Sequence, residues 1–486
     1  YVCGMDSFAL VIFGVTGNLA QKYLIQVLYD MAEKKLLPEN MSIVGVARKV
    51  MNNEDFKKYV FEVLHTHNLH HKHPIKEEVF QDLAKRLHYI DGHFDNPEFY
   101  KRLNIFLNKL TKSGSNCDNR IYYLATYPDL YSHVFENLQA QGMNRQDNGF
   151  VRLMIEKPIG NNLQSSKALN KLLLKYFTED QIFRLDHYLG KETIQNILTF
   201  RFSNDLFEPM INSEHVDHIQ ITASEDFGIG SRGGYYDLVG ALKDVGQNHQ
   251  LQMLAFSTMD SPSEFSSKAV TTQRLKILQA LQPIPDKVVL GQYSDYKLEK
   301  NVDPNSDTET FYALKTYIKN DRFKNVPVYI RAGKKLKQTV TEISIVFKNP
   351  PNRLFHGITS GDEPNVLIYR IQPNEGIVLK IVTKKPGHKL QLEDEYMQFC
   401  YKLDPHSHYI PDPYERLLID TIRGDKTFFN TAEEVEAQWA FIDPLLKNKP
   451  KPHTYKQGSW GPKEADELLE QDGRVWLEPS MLFCRI

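Results

Sequence analysis

Residues 8–20 read FALVIFGVTGNLA, an apolar run that stops at Gly14 and passes straight into a glycine-punctuated turn. An uncharged run of this length, rich in Val, Ile and Phe, is what a strand buried on both faces requires. The turn itself, Gly14-Val15-Thr16-Gly17-Asn18-Leu19-Ala20, is a Gly-x-x-Gly-x-x-Ala variant of the dinucleotide fingerprint. The first glycine permits a tight strand-to-helix turn, and the second lets backbone N–H groups approach a pyrophosphate. The small residue one turn on allows close packing, and the helix N-terminus faces the anion. Gly14, Thr16, Gly17, Asn18 and Leu19 are therefore candidate cofactor-binding residues.

The same grammar continues outward. Short apolar runs recur at 42–47 (SIVGVA), 120–125 (RIYYLA) and 151–155 (VRLMI). Helix-like segments lie around 52–64, 77–87, 96–111, 128–141 and 162–176. Alternation of this kind predicts right-handed crossovers and a mostly parallel, doubly wound α/β sheet. After about residue 200 the pattern changes. His215 to Glu225 reads as a strand and Asp237 to Met259 as one long helix. Extended runs then follow at 327–332, 341–347, 365–372, 376–383 and 388–393, with tight connections at Asn374-Glu375-Gly376 and Pro386-Gly387. Strands without intervening helices predict an antiparallel sheet in an α+β domain.

The end of the second strand bears on the cofactor. An NAD enzyme typically closes that strand with a carboxylate for the ribose 2′-hydroxyl. Here the residues are Val46-Ala47-Arg48-Lys49, with cations instead, and Arg48 can grip a 2′-phosphate in a bidentate fork. NADP is the expected cofactor.

Bulk properties narrow the class. A chain of 486 residues points to two large domains. Lys+Arg 59 against Asp+Glu 61 gives no global argument for nucleic acid or an anionic membrane as partner. No apolar run approaches the roughly 20 residues of a membrane span, and Tyr1 to Met5 lack the regions of a signal peptide. Cys3, Cys117, Cys400 and Cys484 are widely spaced and read as isolated thiols in a reducing compartment. The histidines within 65–73 (HTHNLHHKH) have no acidic or cysteine partner beside them and read as a solvated loop, so no metal is expected.

Three polar constellations remain. Glu156-Lys157-Pro158-Ile159-Gly160 follows the strand 151–155 and falls at the carboxyl edge of the parallel sheet, where open α/β sheets bind ligands. Arg184-Leu185-Asp186-His187-Tyr188-Leu189-Gly190-Lys191-Glu192 gathers a cation, an imidazole and a phenol suited to a phosphate monoester. Asp244-Val245-Gly246-Gln247-Asn248-His249 is the third. Taken alone, His249 is better read as a satisfied core histidine.

These segments, together with Ile330-Arg331-Ala332-Gly333-Lys334-Lys335-Leu336, occur in the order seen in glucose-6-phosphate dehydrogenases, and from about residue 8 to the C-terminal region the chain resembles that family. In RLDHYLGKE, eight of nine positions match the family signature, Leu185 being the exception. The resemblance implies oxidation of glucose 6-phosphate at C1, with hydride passing to NADP. It makes His249 the general base, its neutral form available because imidazole titrates near about pH 6.5. Asp186 would orient it as a buried carboxylate does in a Ser-His-Asp triad. His187, Tyr188 and Lys191 match phosphate-binding positions. Lys157 matches the lysine between sugar and nicotinamide, and Pro158 the family's proline beside the cofactor, a pivot for domain movement. Glu225 and Asp244 match carboxylates that hold sugar hydroxyls, and Lys334 and Gln372 match further substrate contacts.

The resemblance also implies a Rossmann-like NADP-binding domain over 1–190 and an α+β substrate-binding and dimerisation domain over 191–486, with a large, mostly antiparallel sheet. A homodimer or homotetramer follows by the same analogy, and a cytoplasmic address is expected from the lack of targeting signals. Departures fall at Asn18 and Tyr23, where the family usually has Asp and Lys, and at Thr339, where it has a basic residue that Lys335 or Lys337 would have to replace. Arg370 and Lys380 match a second, structural NADP site of some eukaryotic members, whereas Val340 and Ser344 do not. The altered pocket leaves two other readings: a dehydrogenase of a related hexose phosphate, or a catalytically weak NADP-binding relative.

Overall fold

The computed structural model describes residues 7–38, 40–66, 74–112, 118–147, 149–349, 354–355, 363–401, 409–447, 449–480 and 483–484. Cys3, Cys117 and most of the histidine-rich stretch, 67–73, lie outside them. The chain divides into two compact units. One comprises Tyr1–Gly160, Gln164–Gly190 and Pro411–Ala432; the other comprises Asn161–Leu163, Lys191–Ile410 and Glu433–Ile486.

Among the described residues the first unit holds one sheet of β1 (Ala9–Phe13), β2 (Ser42–Ala47), β3 (Leu87–Asp91), β4 (Arg120–Leu124), β5 (Val151–Ile155) and β6 (Ile182–Arg184). Its order is β3-β2-β1-β4-β5-β6, and every pair is parallel. Parallel neighbours need crossovers, which the helices Ile25–Glu33, Asn53–Thr66, Pro97–Lys112, Tyr131–Ala140 and Leu163–Tyr176 supply. Both faces of the sheet are covered, so β1 and β2 are buried at every position and show no alternation. The winding reverses between β1 and β4, which puts a ligand crevice beyond their carboxyl ends. β3 (LHYID) and β6 (IFR) escaped the sequence reading because one is half polar and the other has 3 residues.

The returning segment adds the helix Pro413–Arg423 to this unit. Asp412 caps it by accepting from the Tyr414 N–H at 2.8 Å, and Gly424 ends it at φ 79°. Arg152 on β5 donates to the terminal carbonyls of Thr421 and Ile422, both at 2.6 Å, a cation placed at the helix's negative end.

The second unit carries nine strands among the described residues: β7 (Val216–Ser224), β8 (Val288–Tyr293), β9 (Phe311–Tyr317), β10 (Pro327–Gly333), β11 (Val340–Phe347), β12 (Val366–Gln372), β13 (Gly376–Lys384), β14 (Leu392–Cys400) and β15 (His453–Tyr455). They lie in the order β14-β13-β12-β11-β7-β10-β9-β8-β15. The pairs β7–β10 and β8–β15 are parallel and the rest antiparallel, so the α+β expectation holds. β14 extends well beyond the expected 388–393, and β8, β9 and β15 were not anticipated.

The expected single helix from Asp237 to Met259 is instead three segments: Gly233–Ala241, a π-helical stretch Leu242–Gln250, and Leu251–Thr258. Gly240 breaks it at φ 76°, ψ 169°, and a Cβ there would stand 2.3 Å from Glu309 Oε1. Buried Glu309 caps the new start, its backbone carbonyl accepting from the Ala241 N–H at 3.0 Å and its carboxylate from the Leu242 N–H at 3.4 Å.

One reading is corrected. Cys400 and Cys484 are not isolated thiols: they form a disulfide with Cα atoms 5.2 Å apart across 84 residues of sequence. Spacing of that length carries no pairing signal; the sheet brings the end of β14 to the C-terminal segment. Among the described residues no helix is long and apolar enough to cross a membrane.

The most buried ion pair of this unit joins two helices. Arg274, on Ser267–Ala280, donates from Nε and Nη2 to Glu434 at 2.8 and 3.0 Å, with both side chains fully inaccessible. Removing one partner strands a buried charge. Glu434→Gln is therefore expected to destabilise by about 3–5 kcal/mol, read as a lowered unfolding midpoint; a midpoint equal to wild type would reject this.

Candidate active site

At the end of β1 the backbone turns with Gly14 at φ 88°. A Cβ there would be 2.5 Å from the carbonyl oxygen of Ala125, so only glycine allows β1 and the chain after β4 to approach this closely. The N–H groups of Gly14 and Val15 both donate to Val46 O, at 2.8 and 3.2 Å, and Gly17 N–H returns to Gly14 O at 2.8 Å. The helix then starts at Asn18 and runs through a π-turn, Ala20–Leu24, with Ala20 wholly buried as the fingerprint's small residue must be. Gln21 pins the turn by donating to Thr16 O at 2.9 Å and to the Tyr59 hydroxyl at 2.7 Å. The chemistry of this cradle fits a pyrophosphate: a tight glycine turn, whose Gly14 excludes a Cβ, leads straight into a helix N-terminus.

Arg48 and Lys49 are exposed directly after β2, whose last residue is Ala47. Tyr89 fixes their backbone, its hydroxyl donating to the carbonyls of Lys49 and Ala47. Lys49 lies 5.6 Å from the Tyr59 ring centroid, so it is drawn toward the same aromatic residue that pins the turn.

Glu156 and Lys157 leave the end of β5, and the chain after β6 runs alongside, Leu185 N–H donating to Ile155 O at 2.9 Å. That contact sets Asp186 at the same sheet edge. Asp186 is buried and accepts from the Tyr188 N–H at 3.0 Å, which turns the chain into the single helical turn His187–Gly190. Arg184 below it is structural: wholly buried, it holds Glu179 through two bonds of 2.6 and 3.0 Å. Lys191 is the N-cap of the following helix Glu192–Phe202. Two residues that the sequence did not single out organise this edge. The Tyr123 hydroxyl donates to Glu156 Oε1 at 2.5 Å, and Tyr414 stacks on His187.

Within the second unit, β7 and β10 run parallel with Ser224 opposite Gly333, so the next residues, Glu225 and Lys334, emerge side by side. Lys334 Nζ donates to Glu225 Oε2. Lys334 is buried, 5.2 Å from the Tyr236 ring centroid, and its carbonyl accepts from the Tyr455 hydroxyl at 2.6 Å. Burial first, then the carboxylates of Asp244, Glu309 and Glu225, hold the Tyr236 hydroxyl far above its ordinary range. Glu225, Asp244 and Lys334 thus converge around one phenol that the sequence reading did not name. Gln372 ends β12 on the same edge; it pairs with Thr341, which pairs with Ala223 on β7. His249 is buried in the π-helical stretch, where Asn248 Oδ1 accepts from its N–H at 2.6 Å. The stretch is fastened to the sheet by Gln250, whose Nε2 donates to Arg331 O at 2.8 Å. Such π insertions in helices are frequent at functional sites.

The departures acquire partners as well. Thr339 Oγ1 donates to Asp226 Oδ1 at 2.5 Å, and Lys337 pairs with Glu478. Arg370 is buried against Glu342 at 2.7 Å, and Lys380 holds Glu363 at 3.1 Å and Asp394 at 3.0 Å.

A parallel sheet ordered 3-2-1-4-5-6, a glycine turn after its first strand, and a second unit with a large mixed sheet define a dinucleotide-dependent oxidoreductase. Two domain models match adjoining parts of the chain: "Glucose-6-phosphate dehydrogenase, NAD binding domain" over residues 11–196 and "Glucose-6-phosphate dehydrogenase, C-terminal domain" over 198–477. The chain belongs to the glucose-6-phosphate dehydrogenase family. It is 40% identical over 490 residues to glucose-6-phosphate 1-dehydrogenase of Chlamydia muridarum, covering 96% of each chain. It is 39% identical over 492 residues to that of Treponema pallidum, covering 97% of this chain and 95% of the other. Among solved structures, a glucose-6-phosphate dehydrogenase in complex with glucose-6-phosphate superposes with a TM-score of 0.90 at 32% identity, covering 97% of this chain and 99% of that one. The Mycobacterium avium enzyme superposes at 0.88, also at 32% identity, covering 98% of this chain and 100% of that one.

Burial pushes the Glu156 carboxyl up to about 7, opposed by the Tyr123 hydrogen bond and by Lys157 and reinforced by Asp186. A folded-state value above the ordinary one means that the fold favours the protonated form. The resulting stability is complete below about pH 4 and is lost as pH rises through about 7. Glu156→Gln, which mimics the protonated carboxyl, should gain thermal stability relative to wild type between pH 5 and 8. A difference in unfolding midpoint that stays constant over that range would contradict it.

Proposed function

We propose that the chain oxidises glucose 6-phosphate at C1 to 6-phospho-D-glucono-1,5-lactone with NADP as acceptor, the first step of the oxidative pentose phosphate pathway. The observation that carries the reading is the RLDHYLGKE turn at the carboxyl end of β6, in a chain that matches the family's two domains over residues 11–196 and 198–477. NADP, when bound, supplies the hydride acceptor.

The residues act as follows. Gly14, Thr16, Gly17, Asn18 and Leu19 bind the pyrophosphate through backbone groups and the helix end. Arg48 takes the 2′-phosphate; its exposure after Ala47, with no carboxylate closing β2, supports NADP over NAD. His187, Tyr188 and Lys191 bind the sugar phosphate, while Glu225, Asp244, Lys334 and Gln372 hold the sugar. Lys157 serves both ligands. His249 takes the proton of the C1 hydroxyl as hydride leaves, and Asp186 keeps the imidazole in the accepting tautomer. Hydride transfer with an imidazole base requires no metal.

The extended reading is a cytoplasmic homodimer or homotetramer assembled through the nine-stranded sheet; sedimentation equilibrium reads the assembly directly, and a monomer would refute it. For the chemistry, absorbance at 340 nm with glucose 6-phosphate should rise rapidly with NADP in wild type. In His249→Asn it should fall by about 10²-fold or more in kcat. Arg48→Ala should raise the KM for NADP by roughly 10-fold or more and leave that for NAD in place. A wild-type protein that binds NADP and reduces none would overturn the reading.

A further inference from the structure

We propose that Tyr23 is a positioning residue for phosphate recognition: acting through the ring of Tyr414, it sets the plane of the His187 imidazole. The inference rests on the reading of His187 as a phosphate-binding residue.

Tyr414 packs on two other rings, Tyr23 and His187. Tyr23 and Tyr414 are stacked with centroids 5.3 Å apart and planes 26° apart. Tyr414 and His187 follow at 6.1 Å and are almost parallel, at 7°. His187 then meets Tyr188 edge-on at 5.0 Å and 61°. These separations lie within the range in which offset-stacked and edge-to-face aromatic pairs attract. The middle ring has a rigid base. Tyr414 is the second residue of its helix, after Pro413, and its N–H is held by the Asp412 cap. That helix end is also wedged against the His187–Gly190 turn, since a Cβ on Gly190 would stand 2.5 Å from Pro413 O. Tyr414 itself is buried, whereas Tyr23 is 39% exposed.

An imidazole's outer torsion is broad and has no deep staggered well, so the ring plane is chosen by what packs on it. A phosphate oxygen must lie near that plane to accept a hydrogen bond from a ring N–H. Parallel alignment with Tyr414 therefore selects the directions along which His187 can donate. Tyr23 packs on the same Tyr414 ring and so restrains its rotation. It projects from the π-turn Ala20–Leu24, less than two turns after the glycine turn, so the helix that cradles the cofactor also orients the histidine meant for the substrate.

The test is steady-state kinetics on the full-length protein with Tyr23→Leu, Tyr23→Phe, His187→Gln and the double variant Tyr23→Leu/His187→Gln. Tyr23→Leu should raise the KM for glucose 6-phosphate about 2- to 12-fold, the worth of one aromatic pair, without a matching loss in kcat or change in the KM for NADP. Tyr23→Phe keeps the ring and should restore the wild-type KM. In the His187→Gln background, Tyr23→Leu should add nothing. The proposal is overturned if Tyr23→Leu leaves this KM unchanged, if Tyr23→Phe is as impaired as Tyr23→Leu, or if the two losses simply multiply. If His187→Gln alone leaves the KM for glucose 6-phosphate unchanged, the phosphate assignment itself fails and this inference falls with it. A raised KM in His187→Gln beside an unaffected Tyr23→Leu refutes the role of Tyr23 alone.

Discussion

At the end of β1 the backbone of Gly14 lies so close to the carbonyl of Ala125 that a single added carbon would stand 2.5 Å from it. This contact joins the chain after β1 to the chain after β4, the two strands between which the winding of the sheet reverses. A side chain at that position would push the strand ends apart and occupy the crevice that a doubly wound sheet reserves for its ligand. Much follows from keeping it open. The Gly14 and Val15 N–H groups reach Val46 at the end of β2, bringing Arg48 and Lys49 beside the turn. The same helix then carries Tyr23 into contact with Tyr414, 391 residues later in the chain, on the segment Pro411–Ala432 that returns to this unit.

The second unit solves a different problem, that of bringing charge into a sheet interior. Lys334 and Glu225 neutralise each other because β7 and β10 are parallel and in register, an arrangement that an all-antiparallel sheet would not produce at this edge. Arg331, three residues earlier, has no such carboxylate contact among the described hydrogen bonds. It is held between the rings of Trp460 and Trp476, at 4.8 and 4.4 Å, and donates to Thr222 Oγ1 at 3.0 Å; burial brings its guanidinium down to about 10. Buried charges of this kind add little net stability but are costly to unpair, so they hold one packing against alternatives. The helix bearing His249 is fixed by similar means: Gly240 lets it restart, Glu309 caps the restart, and Gln250 fastens it to the Arg331 carbonyl.

Much of this was legible in the chain. β1, β2, β4 and β5 are short, mostly apolar runs, as strands covered on both faces tend to be, and the glycine turn announces itself by spacing. The candidate residues Glu225, Asp244 and Lys334 meet around Tyr236, and Asp186, Glu156 and Lys157 share an edge. What escaped reading shares one property, a dependence on partners distant in sequence. The strands β3, β6 and β15 are too short or too polar to show a period, and the helix break at Gly240 reflects a carboxylate 69 positions further on. The Cys400–Cys484 disulfide spans 84 residues and contradicts the reading of four isolated thiols.

The sequence by itself determined the class of each element, the family, and the residue types available for chemistry. Those properties are carried by hydrophobic period, turn residues and local motif order, all of which act over a few residues. Only the tertiary structure decided which side chains meet: Tyr123 with Glu156, Tyr23 with Tyr414 and His187, Lys334 with Glu225 beside Tyr236. Such encounters depend on strand order, register and the return of a late segment to an early sheet. Those are set by the packing of the whole chain, in which no single stretch of sequence specifies its neighbour.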